Sequence, residues 1–120
     1  MKDIRELTEN YFAAFSSKNE DQLREIYDEN FSLRDWLAEA QGRERVLDLN
    51  KQFFNAYPDF ELRVLHTFVD GNVSISEIVI KLKDATPGET DTGEKDLLVV
   101  DVIEFSEEGK MQAARAYFGS

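Results

Sequence analysis

Apolar residues recur at helical spacing through the first half of the chain and at every second position through most of the second. The pattern predicts helices followed by strands. From Asp3, which is placed to cap the start, Ile4, Leu7, Tyr11, Phe12, Ala14 and Phe15 form one stripe of a helix ending near Ser16-Ser17. Tyr11 lies on that stripe, so its hydroxyl needs a partner inside the fold, and backbone is the commonest one. After the polar turn Lys18-Asn19-Glu20-Asp21, either Asn19 or Asp21 can cap a second, short helix carrying Leu23, Ile26 and Tyr27. Residues 31–37 alternate at period two and predict a strand on which Asp35 shares a face with Phe31, Leu33 and Leu37. Taken alone, Asp35 fits a surface ion pair with Arg34 or a cap for the next turn of chain. Gly42 breaks the chain before a third amphipathic helix over 43–57, with Val46, Leu49, Asn50, Phe53, Phe54 and Tyr57 on its stripe and Pro58 as its stop.

Four strand-like runs come next with no helix between them. Those over 60–69 and 73–82 flank Asp70-Gly71-Asn72, a strong hairpin signal, and place His66 with Leu62, Val64 and Phe68, and Glu77 with Val73, Ile75 and Val79. An exposed loop is expected over 83–95, where Pro87-Gly88 and Thr92-Gly93 lie among acids. The run over 96–105 is apolar in both alternations, as befits a strand near the middle of a sheet, and is followed by a turn at Glu107-Glu108-Gly109-Lys110 and a last strand over 111–118. Its one anomaly is Asp101, which shares a face with Leu97, Val99, Ile103 and Phe105. An ionised carboxylate there is costly, so Asp101 either finds a partner or keeps its proton. Three helices and a long meander imply an α+β fold in which a curved antiparallel sheet and its helices enclose a cone-shaped pocket. The uncovered sheet face suits a homodimer.

The 120 residues, 42% of them apolar, fit one domain spanning 1–120. A formal charge of −11 argues against nucleic-acid and anionic-membrane partners. With no cysteine, one histidine and scattered acids, neither a disulfide framework nor a metal site is expected. A polar, charged N-terminus without a membrane-length apolar run points to the cytoplasm.

Several markers go together. They are Tyr11-Phe12-Ala13-Ala14-Phe15 leading into Asn19-Glu20-Asp21, the stretch from Tyr27 to Asp35, Gly42 before the third helix, Asp101 ahead of Glu104-Phe105, and the ending through Arg115-Ala116-Tyr117-Phe118-Gly119. With this order of elements the chain resembles the ketosteroid isomerase branch of the nuclear-transport-factor-2-like superfamily, whose fold is shared with polyketide cyclases of the SnoaL type. The resemblance implies Asp35 as general base, with Tyr11 and Asp101 as the two oxyanion-hole donors, Asp101 held protonated. It implies a small hydrophobic ligand, no cofactor, and Tyr27, Trp36, Phe54, His66 and Phe118 as pocket-lining candidates. Asn50 stands where some of these isomerases carry a further buttressing tyrosine, and Ala114 and Ala116 imply a cavity shaped differently from a steroid site. Alternatives within the same resemblance are a cyclase, which uses an acid/base aspartate on the Asp101 strand, and a non-catalytic binding or dimerisation module.

Overall fold

The computed structural model describes residues 3–83 and 94–119. Helices α1 (Ile4–Ser16), α2 (Glu20–Ile26) and α3 (Arg43–Ala56) pack against a curved, unclosed six-stranded sheet. Its strands are β1 (Tyr27–Arg34), β2 (Glu39–Gln41), β3 (Glu61–Asp70), β4 (Val73–Lys83), β5 (Glu94–Phe105) and β6 (Met111–Gly119), in the order β2-β1-β6-β5-β4-β3. Among the described residues no helix is long and apolar enough to cross a membrane.

Local rules set most boundaries. The Asp3 carboxylate accepts the N–H groups of Arg5 and Glu6 at 3.0 and 3.4 Å, and Asn19 Oδ1 accepts Gln22 N–H at 3.1 Å, so α1 and α2 start on side-chain caps. Gly42, at φ 97°, turns the chain into α3 through a conformation that a side chain would strain. Between β3 and β4 Asp70 pairs with Val73, leaving Gly71-Asn72 as a two-residue hairpin turn with Gly71 at φ 60°. The loop expected over 83–95 lies almost wholly outside the described residues.

Two features differ from the sequence expectation. The sheet is mixed: β1 runs parallel to β6, with Leu33 opposite Ala114, because the chain travels through α3 and the whole meander before β6 returns beside β1. The first strand also begins at Tyr27, which the helical pattern had claimed, and ends at Arg34, so Asp35, Trp36 and Leu37 lie in the β1–β2 connection. On β5 the expected alternation holds, with Val99, Ile103 and Phe105 buried and Leu97 and Asp101 half-buried toward the helices. The core beneath the helices combines Leu23, Phe31, Val46, Ile103, Phe105 and Met111.

Candidate functional site

The register of the three central strands defines the floor of the concave face. Asp101 on β5 lies opposite Ser76 on β4 and Ala116 on β6, so a carboxyl, a hydroxyl and a methyl form one row across the sheet. Ser76 and Ser74 are fully buried. Ser76 Oγ pairs with Thr67 Oγ1 at 2.9 Å, and Ser74 Oγ with Thr8 Oγ1 at 2.8 Å. The second of these pairs ties α1 to the sheet one turn before Tyr11.

Tyr11 reaches this row from α1. Its ring lies 6.3 Å from that of Tyr27, tilted by 50°. Tyr27, only 1% exposed, donates to Asn50 Oδ1 on α3 at 2.6 Å. Burial holds the pKa of both phenols above the ordinary value; for Tyr11, Tyr27 and the Asp101 charge add to the effect. The Asp101 carboxyl is pushed up to about 7, first by burial and then by the nearby charge of Asp35. No hydrogen bond satisfies it among the described residues.

Asp35 occupies the turn after β1. Its Oδ1 accepts the N–H groups of Leu37 and Ala38 at 2.7 and 2.8 Å, and its own N–H donates to Ala38 O at 2.9 Å. The side chain is therefore both a turn cap and the charge that Asp101 senses. Arg34 is directed elsewhere, to the Tyr117 hydroxyl at 3.5 Å, so the adjacent ion pair does not form. Beyond Ala116, Trp36 and Phe118 stack at 5.3 Å and are 40% and 48% exposed, which puts an apolar lip beside the row. The arrangement offers a capped carboxylate, a carboxyl able to hold a proton near neutrality, and a half-buried phenol, with Asp101 coupled to both of the others.

A SnoaL-like domain matches residues 8–114. The chain belongs to the SnoaL-like family. No curated protein matches its sequence. Solved structures similar to this SnoaL-like chain include an LEH-like epoxide hydrolase from M. tuberculosis, with a TM-score of 0.80 at 16% identity over 97% of this chain and 82% of that one. A protein from Shewanella denitrificans assigned as a SnoaL-like polyketide cyclase has a TM-score of 0.84 at 13% identity, covering 97% and 90%. One from Kribbella flavida assigned as a ketosteroid isomerase has 0.80 at 18% identity, covering 98% and 78%. At these identities the likeness is one of fold.

Of the residues expected at the site, Tyr11, Tyr27, Asp35 and Asp101 come together, with Trp36 and Phe118 at the edge. His66 and Phe54 do not join them. His66 is on the opposite sheet face, its side chain 68% exposed and its Nδ1 3.4 Å from Glu77 Oε1, because a bulge between Val64 and His66 shifts the strand's parity. Glu77 faces outward with it, since the inward set of β4 is Ser74, Ser76, Ile78 and Leu82. Phe54 belongs to the core, stacked on Phe60 at 5.8 Å. The inward hydroxyls Thr8, Thr67, Ser74 and Ser76 were missed, although their only signal is polar residues alternating with apolar ones, which reads equally as a solvent face. Among the described residues no group of acids and histidine clusters as a metal site.

Proposed function

We propose that this SnoaL-like protein takes a small apolar carbonyl compound against the concave face of its sheet and moves a proton next to the carbonyl, in the manner of a ketosteroid isomerase. The observation that carries the reading is the half-buried Asp101 in one row with Ser76 and Ala116, its carboxyl raised by burial and by the nearby Asp35 charge, and its own charge acting on Tyr11. A C–H bond between a ketone and an alkene is weakly acidic. The Asp35 carboxylate removes that proton, the electron pair passes into a dienolate, and the same proton returns to the far carbon. Charge gathers meanwhile on the carbonyl oxygen, where the Tyr11 hydroxyl and the protonated Asp101 carboxyl donate. Donors of this kind are each worth roughly 3 kcal/mol in a site shielded from water.

A second reading is supported by the position of Asp101 near pH 7, where a carboxyl can serve as acid and base in turn, as aldol ring closure by a cyclase requires. The two are separated by kinetics on a β,γ-unsaturated ketone. The isomerase reading expects turnover that Asp35→Asn abolishes and Asp101→Asn only weakens, whereas the cyclase reading expects no isomerisation. A protein that never turns over such a ketone and copurifies with an apolar ligand would be a binding module. We further propose that the outward sheet face, where Phe68, Ile75, Leu98 and Tyr117 are exposed, pairs with a second copy of the chain.

A further inference from the structure

The outward face of the sheet is hollowed at the end away from β3. Leu33, Ala40 and Ala114 pair in one row and pack toward the helices, so their neighbours on β1, β2 and β6 face the other way. Two outward rows result: Gln41, Ser32 and Ala113 lie side by side in one, and Glu39, Arg34 and Arg115 in the next. Ser32 and Ala113 are short beside the long side chains of the second row. The step between the rows is the floor of a cavity of about 490 Å³ that all six residues line.

Its charges are separated rather than paired. Arg34 and Arg115 stand opposite each other on adjacent parallel strands, about 4.8 Å apart at the backbone, an arrangement that like charges disfavour. Glu104 answers one of them, 2.6 Å from Arg115 Nη1. Arg34 has no carboxylate within ion-pair distance among the described residues. Although Glu39 is its register partner, Arg34 turns away across β6 and donates to the Tyr117 hydroxyl at 3.5 Å. The cavity therefore has an unneutralised guanidinium on its β6 side and an unneutralised carboxylate on β2. Gln41 commits Nε2 to Asn30 O at 3.1 Å, which leaves its Oε1 to accept beside Glu39.

A simple anion is a poor match, because a chain of net charge −11 with Glu39 and Glu104 beside the cavity repels it. A simple cation meets two arginines. A molecule carrying both charges meets neither penalty. We infer that this cavity binds a zwitterion of the amino-acid or short-peptide kind, with its carboxylate on Arg34 and its ammonium on Glu39 and Gln41. Arg115, held by Glu104, closes the carboxylate end. The volume is that of an ordinary small-molecule site and leaves room for a dipeptide. The site lies on the sheet face opposite Asp101 and is independent of the chemistry proposed there.

The test titrates glycylglycine at neutral pH into isotope-labelled protein and follows the backbone amides by NMR. Saturable shifts are expected in residues 32–34, 39–41 and 113–115. Glycylglycinamide lacks the carboxylate and N-acetylglycylglycine lacks the ammonium, and each binds about fivefold more weakly, the upper end for an exposed ion pair. Arg34→Gln weakens glycylglycine to the same extent without weakening glycylglycinamide, and Glu39→Gln weakens glycylglycine without weakening N-acetylglycylglycine. The comparison of peptides needs no variant to fold. Glycylglycinamide binding as tightly as glycylglycine overturns the inference in favour of a cation site, and equal binding of N-acetylglycylglycine or inorganic phosphate overturns it in favour of an anion site. No saturable shift in these residues, as when a second copy of the chain covers them, overturns it outright.

Discussion

Replacing Asp101 by asparagine should stabilise the protein, and by an amount that depends on pH in a calculable way. The folded carboxyl titrates at about 7 against an ordinary value of 3.8, because burial and the Asp35 charge both penalise its ionised form. Below pH 4 the group is protonated whether the chain is folded or not, and it contributes nothing. Between pH 4 and 7 the unfolded chain releases the proton while the folded one retains it, so wild-type stability falls by up to 1.36 kcal/mol per pH unit. Above 7 the folded carboxyl is ionised too and the loss levels off. A displacement of about three pH units corresponds to about 4 kcal/mol, and the partial exposure of Asp101 reduces this to about 2–4 kcal/mol. Asparagine has nearly the same shape and does not titrate. Urea unfolding of both proteins from pH 4 to pH 8 should give similar midpoints at the acid end and an increasingly more stable variant as pH rises. A difference that stays constant with pH, or a wild type more stable than the variant at pH 8, would refute the reasoning.

The same geometry sets three further outcomes. Tyr27→Phe removes the 2.6 Å bond to Asn50 and leaves a buried amide oxygen unpaired, so thermal unfolding should report a loss of about 1–3 kcal/mol with the fold intact by circular dichroism. Trp36→Ala dismantles the exposed stack with Phe118, and calorimetric titration with a naphthol should show several-fold weaker binding while stability changes by no more than about 0.5 kcal/mol. Ile75→Glu puts a charge into the exposed apolar sheet face, and sedimentation velocity at micromolar concentration should show the proposed dimer converted to monomer, with an unchanged monomer at all concentrations in wild type as the contrary result.

Short-range rules decided whatever could be read from the chain alone. The caps at Asp3 and Asn19, the break at Gly42 and the hairpin at Gly71 arise from neighbouring residues, and all occur as expected. On β5 the alternation of Leu97, Val99, Ile103 and Phe105 faces the helices and carries Asp101 with it, although the opposite alternation, with Leu98, Val100 and Val102, is apolar too. Long-range and two-sided features were not legible. The parallel pairing of β1 with β6 is a property of topology, and nothing near Leu33 or Ala114 encodes it. On β4 both alternations are rich in apolar residues, so pattern could not decide whether Val73, Ile75 and Val79 or Ile78, Ile80 and Leu82 face the helices. The extra residue in β3 reversed the side on which His66 emerges, whereas the turn cap at Asp35 is one of the two alternatives that its neighbours allowed.

The most direct test of the account is a carbon-detected NMR titration of the Asp101 side-chain carboxyl in the native protein, repeated in Asp35→Asn. The account predicts a midpoint near 7 that falls when the Asp35 charge is removed. A carboxyl that titrates in the ordinary aspartate range, or one that ignores the loss of Asp35, would contradict the coupled site on which the proposed chemistry depends.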